Sequence, residues 1–424
     1  DDNVTQGALR VLMRVDRALN FSDAKIGEAV RYALDKLLAA QYPIGAWPQR
    51  FRRPPDFSRY PVKRASYPDD WPRTWPGPDY QGHYTFNDNT ICDVIDMLLE
   101  AARIYKDPRY RAAAEKGGQF ILLAQMPDPQ PAWAQQYDAD MHPAWARVFE
   151  PPSVTGGESQ GIMRMLLTLY RETGDRKYLD PVPRALEYLK RSEVPRGPQE
   201  VFRRIPEGPI LARFYELKTN RPLYITKGTR LQAAGLGSRI VDGYQISYSP
   251  DSVITHYSVL VSGRELAFIE EDYRRLAAAD PATVKRPERL RGLSPFLERF
   301  SEKPGAPPSA DEVRRLISTM DERGAWVTRG VIGKPNRLVF VYSARDMVLR
   351  IGRGRSDGSA GGESEARSQT IPLREDDTVE IFIGAQPPVE RIIRSSDFAR
   401  NLTRLAQYVR SLDAKAKGNP APIE

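Results

Sequence analysis

Two stretches of this chain repeat one another. "LLAAQYPIGAWPQRF" and "ILLAQMPDPQPAWAQQYD" each run from an apolar helix end through Ala-Gln to a Pro turn, then to Ala-Trp and a Gln. "LEYLKRSEVPRGPQEVF" is a weaker third copy. The intervening helices also end alike, in "ARIYKDPRY" and "LYRETGDRKYL". The unit is a helix pair, recurring about three times at a period of roughly 70 to 80 residues. One pair cannot bury its apolar face alone, so such units stack or close into a ring. The loops "GAWPQ" and "PAWAQQYD" follow equivalent helices, so they should gather at one end and line a cleft.

Helical spacing supports this. Ile26, Val30, Ala33, Leu34, Leu37 and Leu38 share a face, as do Val94, Ile95, Leu98, Ala102 and Tyr105, and again Ile162, Met165, Leu166, Leu169 and Tyr170. Shorter runs lie at Phe120 to Ala124 and Val182 to Leu189. The second half changes character. Residues 245–263, 336–343 and 378–383 read as extended segments, and 352–369 as a Gly/Ser-rich loop. Ser309 to Glu312 reads as a capping box opening a helix that ends in another "GAW". A last helix carries Phe398, Leu402, Leu405 and Val409 on one face. The expected fold is mainly α: an (α/α) toroid of about three helix pairs over residues 1–235, with a smaller mixed α+β region over 236–424 packed on it.

Composition removes several function classes. One cysteine, Cys92, allows no internal disulfide, and its apolar setting predicts a packed, inert thiol. Three histidines argue against a zinc site, so a metal here is expected to be oxygen-bound. No apolar run is long enough to span a membrane, and "DDNVTQG" has no signal-peptide order. The formal charge of +8 favours an anionic partner, but no nucleic-acid motif accompanies it.

Four loops carry residues suited to chemistry. "GAWPQRF" holds Trp47 and Gln49; "HYTFNDNT" holds Asp88 and Asn89 where a helix should begin. "PAWAQQYDADMHPAWARVFEPPS" holds Trp133, Gln136, Asp138, Trp145, Arg147, Glu150 and Ser153. "LARFYELKTNRPLYITKGTR" holds Arg213, Arg221, Lys227 and Arg230. Asp88 reads equally as a helix cap. Trp47 and Trp133 read equally as core plugs or as sugar-stacking faces. Arg147 with Glu150, and Arg213 with Glu216, read equally as local ion pairs.

Taken in order, these pieces resemble the pectate lyases of polysaccharide lyase family 10, the pectic acid lyase family. The matching elements are Gly45 to Pro48, Thr85 to Asp88, Ala134 to Asp138, Ala146 to Glu150 with Pro152 and Ser153, Glu158-Ser159, Ala212 to Glu216, and Thr219 to Pro222. The resemblance implies a helical toroid that cleaves polygalacturonate by β-elimination with calcium, bound with substrate. It implies Asp88, Asn89 and Asp138 as the calcium or catalytic group, and Arg213 and Arg221 as binders of the substrate carboxylate. Arg147, Trp47, Trp133 and Gln136 are expected to contact substrate. The family's base is an Arg soon after Asn-Arg-Pro; here Lys227 stands near that place and Arg230 follows. The base is therefore Lys227 or Arg230.

The resemblance further implies a secreted, periplasmic or cell-surface protein, expected as a monomer, acting on an acidic polysaccharide, not on nucleic acid and without membrane insertion. Two other readings stand beside it: a glycoside hydrolase using Asp88 and Asp138 as acid and base, and a non-catalytic polyuronate binder on a lyase scaffold.

Overall fold

The computed structural model describes residues 4–51, 56–197, 208–228, 243–250, 259–284, 306–331, 337–341, 346–351, 367–372, 378–382 and 389–416. It is mainly helical. In order come α1 (Val4–Ala18), α2 (Ala24–Ala39), α3 (Thr90–Tyr105), α4 (Pro108–Ala124), α5 (Glu158–Thr173) and α6 (Pro181–Arg191). Successive helices pack on one another, α1 on α2 and α3, α3 on α4, and α5 on α4 and α6. Helix α3 is buried on nearly every side, from Thr90 to Ala101 without a break. It is the centre of the bundle, which explains why its sequence is apolar beyond a single stripe.

The repeat has a physical content. Trp47 Nε1 donates to the Leu37 carbonyl at the end of α2, 2.9 Å away, and Trp133 Nε1 donates to Ile121 O near the end of α4, also 2.9 Å. These carbonyls belong to the last helical turn, whose acceptors have no partner within the helix. Each indole therefore closes the helix it follows. Gln41 Nε2 bonds Gly45 O and Ala113 O, while Gln125 Nε2 bonds Pro131 O and Pro181 O. The repeated Gln thus ties its own turn to a neighbouring helix.

Short strands join the loops. They are β1 (Tyr84–Thr85), β2 (Gln136–Tyr137), β3 (Val154–Thr155), β4 (Ile210–Ala212), β5 (Phe214–Tyr215), β6 (Pro222–Gly228), β7 (Gly243–Ser247) and β8 (Leu260–Ser262). Pro48 bridges Tyr84, β1 pairs with β2, Ala134 bridges Val154, and β3 leads through β5 and β6 to β7. The loops after α2 and α4 therefore do meet, stitched antiparallel. β8 pairs with β4, and α7 (Glu265–Ala278) packs on α5 and α6. β7, β8 and α7, all beyond residue 235, accordingly belong with the helical unit, and the chain divides into compact units at 1–301 and 302–424.

The second unit contains α8 (Ala310–Ser318), α9 (Ser395–Ala416) and strands β9 (Thr328–Val331), β10 (Arg337–Val341), β11 (Asp346–Ile351), β12 (Arg367–Pro372), β13 (Thr378–Phe382) and β14 (Val389–Ile392). The strands nest: β11 pairs with β12, β10 with β13, and β9 with β14. Ser309 and Glu312 form the predicted capping box. Trp326 Nε1 donates to Leu316 O at 2.9 Å, so this second "GAW" also closes its helix. The loop expected at 352–369 lies outside the described residues up to 366; 367–369 are strand. Among the described residues no helix is long and apolar enough to cross a membrane.

Candidate active site

The "FNDNT" stretch does not cap its helix by a side chain. Asn87 to Asn89 form a single 3₁₀ turn, with Asp88 at φ 50° and Asn89 at φ 60°. Asn89 holds the N-cap position of α3 but makes no side-chain cap bond. Two successive non-glycine residues in the left-handed region cost about 1–3 kcal/mol each, tolerable for Asp and Asn and common where a site is being shaped. The turn directs Asp88 toward Arg213.

Arg213 lies between β4 and β5, with its side chain buried. Its Nη2 is 2.8 Å from Glu158 Oε1, 3.4 Å from Asn87 Oδ1 and 3.9 Å from Asp88 Oδ1. Asn87 Nδ2 donates to Asp88 Oδ2 at 3.0 Å. Glu158 opens α5, accepts from the Thr155 hydroxyl and is almost wholly buried. Gln135 joins the group from β2's edge: its Nε2 bonds Asn87 Oδ1, Glu158 Oε1 at 3.3 Å and Glu150 Oε1 at 3.4 Å. Glu150 in turn is gripped by Arg147 through Nε and Nη2 at 2.9 and 2.7 Å. Residues from four separate loops therefore share one buried polar network. A narrow cleft lined by Gln49, His83, Asn87, Gln136 and Glu150 lies against it. Burial lowers the His83 pKa, against the opposing pull of Asp138 and Asp79.

Several predicted residues go elsewhere. Trp47 and Trp133 are fully buried helix-closing residues and present no ring to substrate. The Asn89 amide is aimed at α5, where a Cβ on Gly161 would collide with its Oδ1. Asp138 Oδ1 accepts from the backbone N–H groups of Asp140 and His142, at 2.9 and 3.0 Å, which makes it a turn residue. In the register Tyr84↔Tyr137 and Thr85↔Gln136, Asp88 and Asp138 leave the ladder at opposite ends. Asp138 thus leaves the β1–β2 ladder away from the Asp88 turn, and Asn89 turns to α5. Among the described residues no group of three or more His, Cys, Asp or Glu side chains could hold a metal.

Arg213 pairs with Glu158 rather than Glu216, and Glu216 instead takes the Thr219 and Tyr248 hydroxyls. Ser153 bonds the Pro151 carbonyl. Arg221 is exposed and stacks on Tyr248, its guanidinium carbon 3.5 Å from the ring centroid. Lys227 is on β6, its backbone in register with Tyr244. Arg230 lies outside the described residues. Cys92 is buried, with its thiol pKa pushed well up by burial, as expected of an inert packing residue.

The model of the pectic acid lyase family matches residues 1–233, which include every member of the network. The chain belongs to the pectic acid lyase family. That membership makes it a polysaccharide lyase, and residues of several of the ordered motifs that suggested it meet around Arg213. Two similar solved structures are family 10 polysaccharide lyases from Cellvibrio cellulosa. One is a single-residue mutant in complex with trigalaturonic acid, at 21% identity and TM-score 0.46, covering 64% of this chain and 79% of that one. The other is at 25% identity and TM-score 0.41, covering 53% and 68%. No curated protein sequence matches this pectic acid lyase family member.

Gln135 and Glu158 lie inside the quoted motifs but were not among the expected site residues. Of the adjacent pair Gln135-Gln136 the second was expected to bind substrate, yet neighbouring residues on an extended segment face opposite ways. Gln135 enters the network, whereas Gln136 Nε2 bonds Ala144 O at 2.6 Å and borders the cleft. Thr155 to Glu158 has the spacing of a helix capping box, which conceals a carboxylate that pairs with a distant Arg.

Proposed function

We propose that this lyase cleaves a polyuronate of the polygalacturonate type by β-elimination. The observation that carries the reading is the Arg213 group: a guanidinium held in place by Glu158 and Asn87, beside the partly exposed Asp88. A guanidinium is a planar match for a carboxylate. Seated against the uronate carboxylate, it would favour loss of the C5 proton by stabilising the charge that develops there. A base takes that proton, the C4–O bond breaks, a C4–C5 double bond forms, and the leaving oxygen takes up a proton. Lys227 and Arg230 remain our candidates for the base; a Lys lowers its pKa readily when crowded by cations. Arg221 and Arg147 would bind carboxylates of flanking units.

Calcium enters this proposal only as an ion carried with the substrate. Asp88 would be its protein carboxylate, since Asn89 and Asp138 do not converge with it. We further read the α1–α6 pairs as closing into a toroid. The protein would act as a monomer outside the cell or at its surface, because a polymer of this kind cannot enter a cell.

The test is ultraviolet absorbance of polygalacturonate with the protein, with calcium or chelator, beside a Lys227→Ala variant. Growth of absorbance from the unsaturated uronate supports elimination, and its loss in the variant supports Lys227 as base. Absorbance surviving in the variant moves the base to Arg230. Binding without absorbance, on glucuronan and alginate as well, would leave a polyuronate binder.

A further inference from the structure

We propose that Arg73, stacked on Trp71 and linked to Arg221 through Glu216 and Tyr248, forms a second uronate-binding subsite beside the Arg213 centre. The inference rests on the polyuronate reading and extends it to Arg73, Trp71 and Trp75, which lie outside the quoted motifs. The loop bearing Arg73 is fastened to the site by a reciprocal exchange. Trp145 Nε1 donates to Pro72 O at 2.8 Å, and Trp75 Nε1 donates to Ala146 O at 2.9 Å. Arg73 is thereby held next to the loop of Arg147 and Glu150.

The Arg73 guanidinium carbon lies 3.6 Å from the Trp71 ring centroid, and that of Arg221 lies 3.5 Å from Tyr248. Each guanidinium carbon is within stacking distance of an aromatic face, and Arg73 Nη1 also donates to Trp71 O, which leaves its remaining N–H groups for an anion. Between them sits Glu216, buried, accepting from Tyr248 Oη at 2.6 Å and Thr219 Oγ1 at 2.5 Å, with Arg73 Nε 3.7 Å away. Glu216 thus faces Arg73 directly and is linked to Arg221 through Tyr248, whose hydroxyl it accepts and on whose ring Arg221 lies. Asp70 reaches Arg73 at 3.6 Å, but its side chain is 90% exposed, so solvent screens that pair and a substrate carboxylate can displace it. Trp75 is 42% exposed and offers an apolar face for a sugar ring, with its polar edge already bonded to Ala146. Two ring-stacked guanidinium groups near one buried carboxylate, next to an exposed aromatic face, suit an acidic sugar unit.

The experiment is calorimetric titration of the full chain with di-, tri- and tetragalacturonate, comparing wild type with Arg73→Gln and Trp75→Ala. Thermal unfolding of each variant checks that it folds. The expected result is a loss of about tenfold or more in affinity for the longest oligomer, with dimer affinity unchanged. Arg73→Lys should recover part of the loss through charge alone. Wild-type binding that lengthens with the oligomer while both folded variants bind as wild type would overturn the subsite and leave the lyase reading intact. Failure of the wild type to bind any oligomer would overturn both.

Discussion

Arg213 Nη2 and Glu158 Oε1 are 2.8 Å apart, buried, and separated by 55 residues of chain. This pair joins the first turn of α5 to the β4–β5 junction and holds Arg213 against the Asp88 turn. Removing one partner of a buried pair typically costs about 3–5 kcal/mol, because the other charge is left uncompensated. Glu158→Gln should therefore lower the urea midpoint markedly and abolish turnover. An unchanged midpoint would show that Glu158 does not anchor Arg213.

Trp47 and Trp133 separate packing from binding. Replacing either with Phe keeps most apolar volume but removes the donor to Leu37 O or Ile121 O. A buried carbonyl left without its donor costs about 1–3 kcal/mol. Denaturant unfolding should register that loss, while KM for polymer stays at its wild-type value. A raised KM at unchanged stability would restore these residues to the substrate path.

Gly161 and Asn89 should be coupled. A methyl at Gly161 meets the Asn89 amide oxygen inside contact distance, and Asn89 already holds a left-handed φ of 60°. Gly161→Ala is expected to cost about 1–3 kcal/mol by overpacking. It should also displace the Asp88 turn and lower kcat. Adding Asn89→Gly frees the space and suits the backbone, so the double variant should regain stability. Additive losses would refute the coupling.

Asp93, on α3, should make stability fall as pH rises. Burial is the main cause that lifts its pKa to about 7 from an ordinary value of 3.8, with Arg10 opposing and Asp96 adding to the rise. The folded state binds the proton more tightly than the unfolded one, so the contribution is complete below about pH 4 and is lost as pH rises through 7. Melting temperature compared at pH 5 and pH 8 should drop more for wild type than for Asp93→Asn. Equal drops would remove Asp93 as the cause.

Much of the helical unit was legible beforehand. The apolar spacing of Val30 and Leu34, or of Ile162, Met165 and Leu166, follows from 3.6 residues per turn and is a property of the local chain. So is the Trp that closes each helix, since it stands a short way beyond the carbonyl it serves. Asp88, Arg213, Arg147 and Glu150 were legible as a motif set, and they meet. Helices α1 and α7 were not anticipated, nor was β11.

By itself, then, the sequence determined α2 to α6, α8 and α9, their apolar faces, the repeated loops and the family. These rest on interactions within a few residues or on ordered motifs. Tertiary structure alone decided which of Gln135 and Gln136 enters the network, because strand register sets which way each faces. It also turned Asp88 toward Arg213, sent Asn89 to Gly161 and Asp138 into its own turn, and paired Glu158 with an Arg on another loop. Those outcomes depend on how segments far apart in the chain approach, and no local pattern encodes that distance.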